Sequence, residues 1–127
     1  MRQIVSSPSP LEREIGFSRA VRVGNIISVA VTAPIAASGG TDGVGDAYRQ
    51  THRCLEIIAH ALNEAGARLE HVTRTRILLT DITVWKEAAR AHGEVFSIIR
   101  PACTFAEVSR FIDPDWLVEV EADAVVP

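Results

Sequence analysis

Near the C-terminal end of the sequence, Glu119, Glu121 and Asp123 alternate with Val118, Val120, Ala122 and Ala124. Successive side chains of a strand point to opposite faces, so this segment has one acidic and one apolar face. It therefore belongs to a sheet whose core lies on one side. The rest of the chain must supply what covers that side.

Two segments have the pattern to do so. From Ala47 onward, Thr51, Cys54, Leu55, Ile58, Ala61, Leu62 and Ala65 recur at helical spacing, with Arg49, Arg53, Glu56, His60 and Asn63 mostly opposite. Asp46 suits the N-cap of this helix and Gly66 its C-terminal cap. The segment TVWKEAARAHGEVF repeats the pattern with Trp85, Ala88, Ala89, His92 and Phe96 on one side. Pro101 is expected to end it and to push Arg100 out of the helical region.

Strand signals surround these helices. GFSRAVRVGNIISVAVTAP reads as a hairpin in which Gly24-Asn25 supplies the positive φ of a tight turn. ASGGTDGVGD, Ala37 to Asp46, is a flexible loop with four glycines. Val72–Thr80 becomes continuously apolar, as a strand entering the middle of a sheet does. CTFAEVS and LVEVEADAVV are strands separated by the turn-rich FIDPDW. The order is β-β-α-β-α-β-β, and right-handed crossovers put both helices on one face. The other face must then meet a second copy of the chain or expose its acids to water.

Length and charge narrow the functions. At 127 residues, 47% of them hydrophobic, the chain has room for one domain, residues 1–127. A net charge of −3 with no basic run predicts no nucleic-acid and no membrane partner. MRQIVSSPSP lacks the apolar run of a signal peptide, so a cytoplasmic location is expected. Cys54 and Cys103 have no Cys-x-x-Cys spacing and read as free thiols, Cys54 in the core. His52, His60, His71 and His92 form no ligand-spaced cluster, so no metal is expected. Neither a Gly-x-x-x-x-Gly-Lys-Ser/Thr phosphate loop nor a Gly-x-Ser-x-Gly elbow occurs.

The candidate chemistry lies in RPACTFAEVSR, Arg100 to Arg110. Cys103 and Glu107 share a strand face about 13 Å apart, too far for direct contact. His92 is either a base for Cys103 or a satisfied core histidine, and Arg100 either a cation for the thiolate or a solvated loop residue. Glu107 interrupts a strand otherwise suited to burial. It needs a partner such as Arg76 or Arg110, or it serves a ligand pocket.

Four blocks, FSRAVRVGN, QTHRCLEIIAHALNEAGARLEHV, RTRILLTDI with Trp85, and RPACTFAEVSRFIDPDWLVEVEADAV, carry a resemblance to the RidA/YjgF family, also known as L-PSP endoribonuclease-like proteins. The resemblance implies a chorismate-mutase-like α+β fold. Its sheet is mixed and six-stranded with two helices on one face, a short N-terminal strand being the candidate sixth. It implies a homotrimer with small-molecule clefts between subunits and no cofactor. In well-known members an arginine holds the carboxylate of a 2-imino or enamine acid, and a water hydrolyses it to a 2-oxo acid and ammonia.

This sequence departs from that pattern where the chemistry is. The family's Pro-Ala-Arg-Ser is Pro101-Ala102-Cys103-Thr104, so a thiol stands where a guanidinium would clamp a carboxylate. Losing such a pair costs on the order of 2–5 kcal/mol of binding. The family's tyrosine is Phe17, its Ser-Gly-Gln is Ala30-Val31-Thr32, its helix asparagines fall at Ile57 and Ala89, and another tyrosine falls at His92. The expected site is thus Glu107 as the catalytic residue, with Phe17, Thr32, His92 and Cys103 binding the ligand. The expected function is binding or hydrolysis of a small metabolite, without efficient deamination of 2-imino acids. Two alternatives stand beside it: a deaminase with a substitute cation such as Arg100, and a non-enzymatic ligand-binding or chaperone-like trimer. The endoribonuclease activity in the family's name has no electrostatic support here.

Overall fold

In the computed structural model, which describes residues 1–127, the strands are β1 (Arg2–Val5), β2 (Ala20–Val23), β3 (Ile26–Thr32), β4 (Val72–Leu79), β5 (Ala102–Glu107) and β6 (Val118–Val125). The helices are α1 (Ala47–Glu64) and α2 (Trp85–Phe96). They form one mixed sheet in the order β1-β2-β3-β6-β4-β5, antiparallel throughout except for the parallel pair β4–β5. This is the expected α+β architecture, with Arg2–Val5 as the sixth strand. The last strand in sequence inserts between β3 and β4, so the β3-α1-β4 crossover spans it.

Local signals work largely as expected. Asp46 caps α1 by accepting from the Arg49 N–H at 3.0 Å, and Gly66 follows the helix at φ +82°. In the hairpin Val23 pairs with Ile26, but Gly24 alone takes positive φ while Asn25 does not. Glycine at the first central position of a two-residue turn is the II′ arrangement, which asks nothing unusual of the asparagine. The second helix stops earlier than Pro101 suggests. After Phe96 the chain makes one more turn and leaves through Arg100, in the left-handed region at φ 57°, whose N–H bonds the Phe96 carbonyl at 2.8 Å. The left-handed residue before Pro101 is how the helix is terminated.

Both helices cover one face of the sheet. Ile27, Ile77, Leu79, Val118 and Val120 are fully buried there with Cys54, Ile58 and Leu62 of α1 and Phe96 of α2. Cys54 is a core thiol, its pKa pushed up by burial. The opposite face has no cover within the chain: Ile4, Val23, Ile26 and Val31 remain exposed there. Two ion pairs cross it, Arg76 with Glu121 and Arg74 with Asp123.

Candidate functional site

The register places the expected site residues on different surfaces. In the parallel β4–β5 pair, Cys103 lies beside Thr75, Phe105 beside Ile77 and Glu107 beside Leu79. Thr75, Ile77 and Leu79 are the buried, helix-facing residues of β4, so Cys103 and Glu107 also face the helix side. Trp85 of α2 confirms the face, meeting Phe105 edge-on at 5.7 Å between ring centroids.

Glu107 departs from expectation. It is exposed rather than buried, and it pairs with neither Arg76 nor Arg110. The reason is that β5 is an edge strand and Glu107 is its last residue. Its carboxylate accepts from the Ile82 N–H at 2.9 Å, which caps the 3₁₀ turn Ile82–Val84 leading into α2. Cys103, on the same edge, is an exposed free thiol.

His92 stands half-buried on α2, its Nε2 2.8 Å from the hydroxyl of fully buried Thr75. That hydroxyl has no other partner, so a buried O–H is satisfied only if it donates to Nε2, which leaves the ring neutral with its proton on Nδ1. Burial lowers the pKa of His92, in keeping with a neutral ring. Cys103, Thr75 and His92 thus belong to one neighbourhood.

Thr32 and Phe17 lie elsewhere. The Thr32 side chain is fully buried at the irregular end of β3, accepting from Arg19 Nη1 at 3.2 Å and donating to the Ala30 carbonyl at 2.9 Å. Phe17, partly exposed, borders a depression of about 450 Å³ on the uncovered face with Ser28, Arg76 and Glu121. Within one chain the five expected residues do not converge. Phe17 is near β2, and Cys103 and Glu107 are on the far edge.

The sequence reading did not single out Glu119 as a site residue. It lies on the uncovered face beside Leu78, half-buried, with no hydrogen bond or ion pair of its own. Burial raises its pKa. Of the three alternating acids only this one lacks a counter-ion, since Arg76 and Arg74 are taken by Glu121 and Asp123. Glu119 lines a depression of about 550 Å³ together with Arg110, Phe111 and Ile112. A carboxyl that keeps its proton more readily than usual can act as a proton donor to a ligand seated there.

The loop that walls this depression is pinned from α1. Gln50, 0% exposed, donates to the carbonyls of Asp115 (2.9 Å) and Gly43 (3.1 Å) and accepts from the Leu117 N–H at 2.7 Å. One buried amide thereby ties the wall to the glycine-rich loop. No group of three or more His, Cys, Asp and Glu is arranged to hold a metal ion, and no helix is long and apolar enough to cross a membrane.

These features define a small sheet-and-helix protein with one uncovered sheet face and a carboxylate-bearing depression on it. The family model described as Endoribonuclease L-PSP matches residues 8–126, and the chain belongs to that family, the RidA/YjgF proteins. The solved structure of Rv2704 from Mycobacterium tuberculosis, a member of the YjgF/YER057c/UK114 family, is 43% identical with a TM-score of 0.89. The match covers 99% of this chain and 100% of that one. Protein SCO2049 of Streptomyces coelicolor is 38% identical over 120 residues, 94% of this chain and 89% of the relative. The 3-aminoacrylate deaminase RutC of Acinetobacter baylyi is 34% identical over 120 residues, 94% of this chain and 92% of the relative.

Proposed function

We propose that the protein binds and hydrolyses a small imine- or enamine-type metabolite, with Glu119 as the acid–base group, in a cleft completed by a neighbouring copy in a homotrimer. The carrying observation is Glu119 itself, a half-buried carboxyl with a raised pKa and no partner in the chain, at the edge of a depression. Protonated, it lends its proton to the substrate nitrogen or enamine carbon. Water adds to the resulting C=N carbon and returns a proton to the carboxylate as ammonia departs, leaving a carbonyl compound. A relative named as a 3-aminoacrylate deaminase supports this reaction class.

The separation of Phe17 from Cys103 and Glu107 supports a shared cleft, because only a second chain could bring such edges together. Ordinary 2-imino acids are expected to be poor substrates, since Cys103 holds no carboxylate. The alternative of a deaminase with Arg100 as substitute cation keeps one feature in its favour: Arg100 is exposed at the entrance to β5 without an ion pair.

An assay that follows ammonia release from small imines and enamines without a carboxylate, generated in place, tests the reading, with 2-imino acids made from amino acids as the slower comparison. Glu119→Gln should lower turnover about a hundredfold or more, whereas Glu107→Gln should stay within a few-fold of the parent. Undiminished turnover in Glu119→Gln would sink the assignment.

A further inference from the structure

Gln50 is fully buried although it carries an amide, and every group it bonds is loop backbone outside its own helix. Its Nε2 donates to the carbonyls of Gly43 and Asp115, and its Oε1 accepts from the Leu117 N–H. The orientation is fixed, because a reversed amide would set its oxygen against two carbonyls and its nitrogen against an N–H. Of the side chains of α1, Gln50 is the one that bonds residues 110–117.

Glu119 lies two residues beyond the Leu117 bond, about 7 Å of strand. Leu117 is held from both sides, since its carbonyl accepts from the Thr80 N–H at 3.1 Å. The same bonds hold the base of the loop that sets Arg110, Phe111 and Ile112 around the depression with Glu119. On the far side of Gln50 the glycine-rich loop has its own constraints. Arg49 grips Asp42 through bonds of 3.0 and 2.9 Å, and Gly43 sits at φ +80° where a Cβ would lie 2.6 Å from Arg49 Cγ. Only glycine brings its carbonyl to Gln50 in that conformation and that space.

We infer that Gln50 is a positioning residue for Glu119: it joins the glycine-rich loop to the wall and to the start of β6, and so keeps the Glu119 carboxyl half-dry. The proposal rests on the reading of Glu119 given above and adds what holds that group in place. The charged and titratable groups around Glu119 are Arg110 across the depression, the Arg76–Glu121 pair two residues along β6, Arg19 where it meets Thr32 of β3, and the Cys54 thiol through the sheet. None of them pairs with it, and burial alone raises its pKa. Its titration therefore reports how much water reaches it.

The test is the carboxyl NMR titration of Glu119, assigned by the signal lost in Glu119→Gln, together with hydrogen exchange of the Leu117 amide. In the parent Glu119 should titrate above 4.5, and the Leu117 amide should exchange as slowly as those of β6. Gln50→Met removes all three bonds, and Gly43→Ala breaks the network from its other end. Each should move the Glu119 titration down toward 4.5 and speed Leu117 exchange about tenfold or more. Ile58→Val, in the core of α1 and outside the network, should lower the melting temperature and leave the Glu119 titration where it was. Should Gln50→Met not fold, Gly43→Ala decides. An unmoved titration in the folded variants, the same movement in Ile58→Val, or fast Leu117 exchange in the parent would overturn the positioning role. The two readings fail separately. Undiminished turnover in Glu119→Gln removes the acid–base role and leaves the titration result standing, whereas an inactive Glu119→Gln with a titration indifferent to Gln50 and Gly43 overturns only the positioning.

Discussion

The same strands build two unlike faces. On the helix side Ile27, Ile77, Leu79, Val118 and Val120 are sealed beneath α1 and α2. On the other side Ile4, Val23, Ile26 and Val31 keep 39% to 59% of their surface exposed, and ionisable groups stand among them. Four of those groups neutralise one another in pairs, and Glu119 is the carboxyl left over. A covered face tolerates almost no unpaired charge, because desolvation is costly. A face that is open within the chain can hold a carboxyl in a half-dry place where its protonation is adjustable. Stability and the proposed chemistry are thus divided between the two sides of one sheet.

The largest expected effect tests that division directly. Ile77→Ala, on the sealed face, should cost about 2–5 kcal/mol of unfolding free energy, whereas Val31→Ala should cost less than about 1 kcal/mol in the isolated chain. Denaturant unfolding at several protein concentrations reads both. A concentration-dependent cost for Val31→Ala equal to that of Ile77→Ala would mean that the open face is covered in solution, as the homotrimer proposal requires. Sedimentation of Val31→Asp would then show a lowered mass.

A smaller effect concerns pH, where the two faces should carry opposite slopes. His92, against the helix side, has a pKa below its ordinary 6.5, so the unfolded chain binds its proton more readily. Its contribution is complete above about 6.5 and is lost as pH falls through the lowered value. Glu119, on the open side, has a pKa above its ordinary 4.5. Its contribution is complete below about 4.5 and is lost as pH rises through the raised value. In melting temperatures followed against pH, His92→Gln should flatten the acid-side loss and Glu119→Gln the opposite one. Unchanged curves in both variants would remove the electrostatic contrast between the faces.

The smallest effect is expected where charge is already balanced. Arg76→Ala breaks a partly exposed ion pair and should cost about 0–1 kcal/mol, mostly screened by salt. A markedly larger loss would mean that the Arg76–Glu121 pair is buried against another copy of the chain.

Much of the fold was legible along the chain. The amphipathic period of α1 with Asp46 and Gly66 at its ends, the burial of Cys54 and the Gly24 turn depend on neighbours within a few residues. The site was less legible. Glu119, Glu121 and Asp123 look alike in sequence because all three alternate with apolar residues. What separates them is which residue of β4 stands alongside, Leu78 for Glu119 but Arg76 and Arg74 for the others. Glu107 misled in the reverse direction. Its apolar neighbours suggested burial, but Glu107 is the last residue of the edge strand β5, where its carboxylate stays exposed and caps the turn before α2.

What the sequence by itself determined was therefore periodic and local: which segments are helix or strand, which side of each is apolar, and that two helices would cover one face. Those properties follow from backbone geometry and side-chain hydrophobicity. Only the tertiary structure decided the insertion of β6 between β3 and β4, the pairing that spends Arg74 and Arg76, and the loop that brings Arg110 to Glu119. Each is a cross-strand or loop contact set by register between segments far apart in the chain, and a one-residue slip would turn Glu119 into the core.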